Sequence, residues 1–301
     1  MPRLSSILIA KQVRDHRNWL PERGQQVRAA TLESVEAALK DKGPGALALL
    51  SNALASLGLF HGTRGVVGLL EGRDSGWSDV AGAVECYLWC ARLDIRSHYT
   101  RSAAQRTARM ASLRHTLTPA VVLLAYFVAV DQAQREQSLW SLLQRPLTDP
   151  HPRIRQWWNE RHFEPFFVSL YARARGIPPP LDLEQCKLHV YGKVLETWDD
   201  DAALSAALQR ACEYHCRRMA HTRSWTAEFN RTPLDLLPIE IFAVNSLRSV
   251  MGRAPVEVDH PLMHQIGPIG LAQPPQELME TLYRVLERHD EVYAAKLARS
   301  A

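Results

Sequence analysis

Apolar residues recur every three or four positions along almost the whole chain, a spacing typical of amphipathic α-helices. Alternating apolar and polar runs bounded by turn signals, which would indicate strands, are almost absent. The sequence therefore predicts an all-α fold, a globular array of roughly 12–14 helices with some repeat-like helix pairs. The predicted helices are 4–19, 25–40, 45–59, 64–70, 78–97, 102–113, 119–131, 134–144, 152–161, 164–175, 183–198, 201–221, 237–251 and 276–297.

Glycine and proline mark the predicted connectors, and the stiffest connector is Pro178-Pro179-Pro180. Three prolines hold an extended backbone and stop the preceding helix. No consensus recurs at a fixed period, which favours a globular array over a regular repeat protein. We interpret residues 1–301 as a single all-helical domain, with a candidate seam near 176–182.

The segment 232–263 predicts a buried helix with a defined beginning and end. Prolines precede its apolar face and Gly252 follows it, an arrangement typical of a bounded helix. Beyond this glycine, Glu257 and Asp259 lie between two prolines and are expected to leave the helix as an acidic, extended exit.

Composition and charge describe an ordinary globular protein. Of 301 residues, 46% are hydrophobic and 23% are charged, and 36 Lys and Arg against 32 Asp and Glu leave a formal net charge of +4. Basic residues cluster in 101–114 and 153–161, but they are interleaved with other residues as on solvated helix faces. We therefore expect no nucleic-acid partner.

Membrane and secretory signals are weak. The longest apolar run, 119–130, falls short of the roughly 20 residues that span a bilayer, so it predicts a helix buried inside the domain. The first residues lack the sustained apolar core of a signal peptide. Five cysteines provide no disulfide framework and suit a reducing compartment. We expect a cytoplasmic protein with no membrane partner.

Two cysteine pairs could be taken for a zinc site. Cys86 with Cys90, and Cys212 with Cys216, each place two thiols on one helix face, and histidines lie nearby. However, structural zinc usually binds at a knuckle or turn, whereas these pairs lie in apolar helical stretches where cysteine acts as a small hydrophobe. We expect no metal and no cofactor.

No catalytic motif is apparent. His289-Asp290 matches the metal-binding dipeptide of helical phosphohydrolases, but nothing marks the further ligands which that chemistry needs. The glycines of 61–65 lack the lysine of a phosphate-binding loop, and there is no nucleophile elbow or dinucleotide fingerprint. The prediction is a protein that is not an enzyme, with no catalytic residue.

The run Asp199, Asp200 and Asp201 is the densest acidic cluster. Its simplest role is to cap the helix that follows, since carboxylates accept hydrogen bonds from the unpaired amides of a helix start. The alternative is an acidic knob that docks into a basic cleft of a partner protein, and the two roles are compatible.

Two aromatic pairs, Trp157-Trp158 and Phe166-Phe167, place bulky rings on two sides of their helices. Such rings indicate either burial on both sides or an exposed interaction patch. Core packing is the favoured interpretation.

Two segments carry a family resemblance. LDLLPIEIFAVNSLRSVMGRAPVEVDHPLM, residues 234–263, resembles the end of all-helical immunity proteins of bacterial polymorphic toxin systems, the family called immunity protein 49. GLFHGTRGVVGLLEGRDSGWSDVAGAVECYLWCARL, residues 58–93, also resembles that family, with a glycine-punctuated short helix before a long one. The resemblance implies an all-helical protein made by the toxin-producing cell, with no chemistry of its own.

This resemblance implies a stoichiometric inhibitor that binds and neutralises a cognate toxin or effector protein, as in type VI secretion. Candidate partner-binding residues are Asp199, Asp200, Asp201, Glu257 and Asp259. One alternative is a helical scaffold that recruits proteins through a concave groove. A third is a metal-dependent helical enzyme that uses Cys86, Cys90, Cys212, Cys216 and nearby histidines. The sequence leaves the oligomeric state and the toxin's identity open.

Overall fold

All regular structure in the computed structural model, which describes residues 4–41, 45–219 and 227–298, is helical. The predicted all-α fold is confirmed. The α-helices are α1 Leu4–Trp19, α2 Gln25–Lys40, α3 Ala46–Leu70, α4 Gly76–Tyr99, α5 Ala103–Ala108, α6 Met110–Ala129, α7 Ala133–Thr148, α8 Pro152–Glu160, α9 Phe163–Ala174, α10 Val190–Glu196, α11 Asp201–Arg218, α12 Ile239–Val250 and α13 Gln276–Ala298. A π-helical turn, Leu20–Gly24, separates α1 from α2.

The predicted break between residues 59 and 64 is wrong, because α3 runs unbroken from Ala46 to Leu70. Its glycines let α4 approach closely. A Cβ atom on Gly65 would lie 2.8 Å from the Gly76 carbonyl oxygen, and one on Gly58 would lie 2.5 Å from the Tyr87 ring. These glycines therefore allow the two helices to pack closely. A prediction that treats glycine as a helix breaker misinterprets them.

Two predicted boundaries at prolines are also wrong. Helix α6 passes through Pro119 and α7 passes through Pro146, although a proline inside a helix removes a backbone hydrogen bond. Apolar burial compensates for this loss in α6, whose residues 120–128 are all buried. In α7, Pro146 is buried and its carbonyl accepts a hydrogen bond of 3.2 Å from the Trp158 indole.

The predicted helix 183–198 is only partly formed. A short 3-10 turn, Leu183–Gln185, is capped by Asp182, and α10 begins at Val190. Between them His189 has φ 49°, a conformation outside the helical region that ends any continuous helix. The predicted helix 102–113 is divided, because α5 ends at Ala108 and α6 begins at Met110. The remaining predicted helices are present, with boundaries that shift by a few residues, and the end of predicted helix 201–221 lies outside the described residues.

Backbone proximity divides the chain into two units. Unit 1 comprises Met1–Gln12 and Thr107–Ile269, and unit 2 comprises Val13–Arg106 and Gly270–Ala301. The predicted single domain remains a prediction. Its candidate seam, 176–182, lies within unit 1 and is not one of the points where the chain passes between units.

The core of unit 2 is built around the α3–α4 hairpin, with α2 and α13 packed against it. Leu50, Leu54 and Leu57 of α3 meet Cys86 of α4 and Leu282 of α13 in one buried cluster. Burial of leucine side chains of this kind stabilises a fold by about 1.5–3 kcal/mol each.

The core of unit 1 surrounds α6, which packs mainly on α12, α7 and α9. The predicted burial of the aromatic pairs is confirmed, because Trp158, Phe166 and Phe167 are wholly inaccessible and Trp157 is 8% exposed. The prediction for 232–263 is also confirmed. Helix α12 is largely buried, Gly252 ends it with φ 74°, and residues 253–260 are non-helical.

Helices α3 and α6 are long and apolar enough to cross a membrane by length and composition alone. In each, 67% of the most apolar window is buried within the protein. This degree of burial is expected of core helices, and it agrees with the sequence prediction for 119–130.

Candidate functional site

A cleft of about 570 Å³ opens on unit 1 between α6, α8 and the chain at 227–231. Among the described residues, its charged lining comprises three arginines, Arg114, Arg161 and Arg231, and one carboxylate, Glu160. His115 also lines the cleft. The cleft is therefore a concave site with an excess of positive charge.

Helical spacing places these side chains. On α6, Arg114 and Thr118 are four residues apart and share one face. At the end of α8, Trp157 and Arg161 have the same spacing, and the Arg161 guanidinium lies 5.7 Å from the centre of the Trp157 ring. Cation–π attraction thereby helps to hold Arg161 against the cleft wall. Among described atoms, the buried Nε of Arg114 has no hydrogen-bond partner.

A buried carboxylate, Glu164 in the first turn of α9, lies behind Arg161. Its Oε1 accepts hydrogen bonds from Arg161 Nε at 2.8 Å and from the Thr118 hydroxyl. Its side chain is inaccessible to solvent, and Oε2 has no hydrogen-bond partner among the described residues. Arg161 and Thr118 thus connect the cleft lining to a charge in the interior.

A second buried carboxylate, Glu228, lies on the other side of the same guanidinium. Its Oε1 accepts a hydrogen bond of 2.7 Å from the Tyr214 hydroxyl and lies 3.9 Å from Arg161 Nη2. Its residue is 4% exposed. Neither Glu228 nor Glu164 lines the cleft, whereas Arg161 lines it and also lies against both carboxylates.

Burial and, next, the negative charge of Glu164 raise the pKa of Glu228 to about 7, although Arg161, the Tyr214 hydroxyl and Arg218 oppose the rise. Burial also acts on Arg161, but the two carboxylates outweigh it and raise the pKa of the guanidinium, which stays charged. Glu228 exchanges a proton in the range where most carboxyl groups are ionised.

Aromatic and basic groups surround Tyr214, the hydrogen-bond partner of Glu228. Arg218 lies 5.0 Å from the centre of the Tyr214 ring, and the rings of His162 and His189 lie 5.9 and 5.2 Å away. Burial lowers the pKa of His162 and raises that of Tyr214. Perturbed ionisable groups beside a cleft are typical of functional sites.

A separate buried pair, His215 and Glu240, stabilises unit 1. His215 Nδ1 lies 2.8 Å from Glu240 Oε1, Nε2 lies 3.0 Å from the Asp235 carbonyl, and the Phe229 ring stacks on the imidazole at 4.2 Å. Burial opposes protonation of His215, but Glu240 outweighs it and raises the pKa. Since the pair is closed to solvent, we assign it a structural role.

The acidic run predicted as a cap or a docking knob has intramolecular partners. Asp200 caps α11 by accepting a hydrogen bond of 3.0 Å from the Ala203 amide. Asp201 lies 2.5 Å from Arg248, and Asp199 lies 2.5 Å from Arg253. The predicted cap is thus present at Asp200, and the neighbouring arginines partly neutralise the charge that a docking knob would use.

The other predicted partner-binding residues, Glu257 and Asp259, are exposed on the extended exit. They alternate with the buried residues Val256, Val258 and His260, so both carboxylates face solvent. Ser205, in the second turn of α11, donates a hydrogen bond of 2.5 Å to the Glu257 carbonyl. The structure therefore brings the exit beside the helix that Asp200 caps, but none of the five acidic residues lines the cleft.

The motif 61–65 lies inside α3 of unit 2 and forms an ion-pair cluster with α4. Asp79 accepts hydrogen bonds from Arg64 Nε at 2.6 Å and lies 2.8 Å from His61 Nδ1. Burial alone would raise the pKa of Asp79, but these two partners outweigh it and lower the pKa. The cluster joins the two helices of the hairpin.

Cys86, Cys212 and Cys216 are buried thiols. Burial raises the pKa of Cys86 and Cys212, and that of Cys216 to about 12, which disfavours the thiolate that binds metal. Across the described ranges, no group of three or more His, Cys, Asp or Glu side chains is placed to hold a metal ion. His289 Nδ1 lies 2.9 Å from Asp290.

Comparison with known proteins adds no relative: no family model matches the chain, and neither a curated protein nor a solved structure matches it.

Sequence reasoning missed Arg161, Glu164 and Glu228. Glu164 stands in FEPFFVSLYA, where the surrounding residues predict burial on every side of the helix. A carboxylate in such a run must find a partner, and Arg161 lies three residues earlier, within reach on a helical path. A glutamate inside an apolar helical run, with an arginine three residues before it, was therefore the sequence signal that could have identified this ion pair. Glu228 has no comparable local pattern.

Proposed function

We propose that the protein is a partner-binding protein of the immunity type, which binds a cognate toxin or effector in the cytoplasm and inhibits it stoichiometrically. The observation that carries this proposal is the cleft of unit 1, where Arg114, Arg161 and Arg231 outnumber Glu160. In this proposal the cleft receives an acidic segment of the partner. The family resemblance of 58–93 and 234–263 supports the immunity class.

The chemistry of the cleft suits carboxylate groups on a protein surface. A guanidinium presents donors in a planar fork that matches a carboxylate, and arginine anchors in concave sites account for much of the affinity of protein interfaces. Trp157 supplies an aromatic wall beside Arg161. The excess positive charge would also speed encounter with an acidic partner.

The sequence-predicted acidic residues would have a different role. Glu257 and Asp259 lie on the exit segment, apart from the lining of the cleft, and the aspartates at 199–201 have arginine or cap partners within the chain. We propose that they contribute at most to a charged rim of the interface. Exposed rim charges contribute little to affinity, whereas anchors contribute more than 1 kcal/mol.

The test is to capture the partner and then change charges in the cleft. The tagged protein is purified from its own cells, and proteins recovered at near-equal amounts are identified by mass spectrometry and expressed alone. Arg114→Glu is compared with Glu257→Lys as the matched reversal on the exit. We expect a partner that is lethal when expressed alone, and at least a tenfold loss of affinity for R114E only.

Two results would overturn the proposal. One is the recovery of several housekeeping proteins and no lethal partner. The other is a lethal partner whose affinity is unchanged in R114E and lost in E257K, which would move the binding surface to the acidic exit.

A further inference from the structure

We propose that the cleft takes up a proton when it binds a carboxylate-bearing segment, and that the buried pair Glu228 and Glu164 behind Arg161 holds this proton. The proposal rests on the proposed function, because it specifies the ligand chemistry and the regulation of the same cleft. Binding would then depend on pH although the binding arginines keep their charge.

Arg161 is the physical link between the ligand and the buried pair. Its guanidinium lines the cleft, bonds Glu164 at 2.8 Å and lies 3.9 Å from Glu228. A carboxylate that enters the cleft brings a third negative charge close to one guanidinium. Like charges in a poorly solvated site cannot all remain ionised, so one carboxyl group is expected to take up a proton.

Glu228 is the group suited to accept that proton. It is 4% exposed, and its Oε2 is buried with no hydrogen-bond partner among the described residues. Burial and Glu164 already bring its pKa to about 7. A nearby anion would raise it further, so a modest change in charge shifts the proton near physiological pH.

The ionisable groups that face Glu228 lie on or next to several helices, and each of them is a possible alternative site for the proton. Arg161 follows α8, Glu164 is on α9, Tyr191 is on α10, and Tyr214 and Arg218 are on α11. Burial raises the pKa of both tyrosines and the carboxylates raise that of Arg161, so these groups keep their protons near neutral pH.

Histidines also lie close to the site. The rings of His162 and His189 lie 5.9 and 5.2 Å from the Tyr214 ring, and burial lowers the pKa of His162. His115 lines the cleft and is exposed, so a bound anion would lie beside its imidazole. The experiment must therefore separate Glu228 from His115.

The expected number of protons taken up on binding follows from the fraction of Glu228 that is already protonated. With a pKa of about 7, about a quarter of the carboxyl groups carry a proton at pH 7.5, so binding can take up at most about three-quarters of a proton. We expect about 0.5 proton per bound segment. By linkage, this uptake weakens binding about threefold for each unit by which the pH rises.

The probe is an oligoglutamate peptide, titrated calorimetrically into the full chain at pH 7.5 in two buffers that differ in ionisation enthalpy. The dependence of the apparent enthalpy on the buffer yields the number of protons taken up. We expect about 0.5 proton for the wild type and for His115→Gln, and none for Glu228→Gln. Circular dichroism checks that each variant is folded.

The wild type also tests the inference by itself, through its affinity between pH 6.5 and 8.5, where the probe stays ionised. Binding without proton uptake would overturn the inference and leave the cleft as the proposed binding site. Uptake that persists in E228Q and disappears in H115Q would overturn it in favour of the imidazole. Failure of the peptide to bind would overturn both the proton linkage and the carboxylate site, while the capture experiment would decide the immunity class separately.

Discussion

Replacing Glu228 with glutamine should remove a loss of stability that the wild type undergoes as the pH rises from about 4.5 to about 7. The carboxyl group has a pKa of about 7 in the folded protein and 4.5 as its ordinary value. A raised carboxyl pKa means that the folded state binds more protons, so stability falls as the pH rises from about 4.5 to about 7, and then stays constant. Glutamine keeps an oxygen for the Tyr214 hydroxyl and has no charge to bury.

The size of this change in stability follows from the two pKa values of Glu228, about 7 in the folded protein and 4.5 ordinarily. Each pH unit between them corresponds to about 1.4 kcal/mol, so the wild type loses about 2–3 kcal/mol relative to Glu228→Gln between pH 5 and pH 8. In a protein of this size, 1 kcal/mol shifts Tm by roughly 2–4 °C. The difference in Tm between variant and wild type should therefore change by roughly 5–10 °C over this range, in favour of the variant at pH 8.

The assay is thermal unfolding followed by circular dichroism at pH 5, 6, 7 and 8. Glu257→Gln is the control, because it removes the charge of an exposed carboxylate and should leave the pH dependence unchanged. The diagnostic quantity is how the difference in Tm between E228Q and wild type changes with pH. A difference that does not vary with pH would report only how well the amide fits in place of the carboxyl group. A difference between E228Q and wild type that is the same at all four pH values would refute the reasoning.

Predictions for four further variants concern packing and buried charge, and urea unfolding checks each of them. Gly65→Ala should destabilise by about 1–3 kcal/mol because its Cβ would lie 2.8 Å from a backbone oxygen, whereas Gly192→Ala, with no heavy atom nearer than 3.7 Å, should stabilise α10 by about 0.5–1 kcal/mol. Equal effects of the two alanines would contradict the packing argument. Arg248→Met should cost more than about 2 kcal/mol, because Arg248 is 1% exposed and donates to two backbone carbonyls. Arg253→Met removes a half-exposed ion pair and should cost less than about 1 kcal/mol, so a larger loss there would contradict the ranking.

The fold class and most helices could be predicted because they depend on apolar periodicity, which is local in sequence. The helix ended by Gly252 shows this well, since its prolines, apolar face and terminal glycine all lie within the segment 232–263. The burial of Trp158 and Phe167 followed from the same pattern. Local sequence signals were sufficient wherever the residues that begin and end a helix lie within or next to that helix.

Glycine and proline misled the prediction where tertiary contacts decided the outcome. Gly58 and Gly65 lie within a helix because another helix occupies the space where their side chains would be. Pro119 stays inside α6 because the residues after it are buried on all sides. Neither neighbour is visible in the local sequence, so the breaker interpretation was natural and wrong.

The site could not be predicted for a related reason. Arg161 and Glu164 are close in sequence, but Glu228 and Arg231 come from a segment 60 or more positions later, and only the fold brings them to the same guanidinium and cleft. The acidic run at 199–201 was conspicuous because it is contiguous. Its structural partners are also distant in sequence, since Arg248 lies 47 positions from Asp201. The sequence therefore shows the acidic run but not the arginines that partly neutralise it.

The net charge around the cleft depends on one proton. Among the described residues, Arg114, Arg161 and Arg231 outnumber Glu160 in the lining of the cleft, and Arg218 also acts on Glu228 from α11. Ionisation of Glu228 adds a negative charge behind Arg161 and so reduces the excess of positive charge. Attraction of an acidic segment and protonation of Glu228 therefore favour each other, because each is most favourable when the other has occurred. A binding site built only from surface arginines would lack this dependence, since guanidinium groups keep their charge throughout the physiological range.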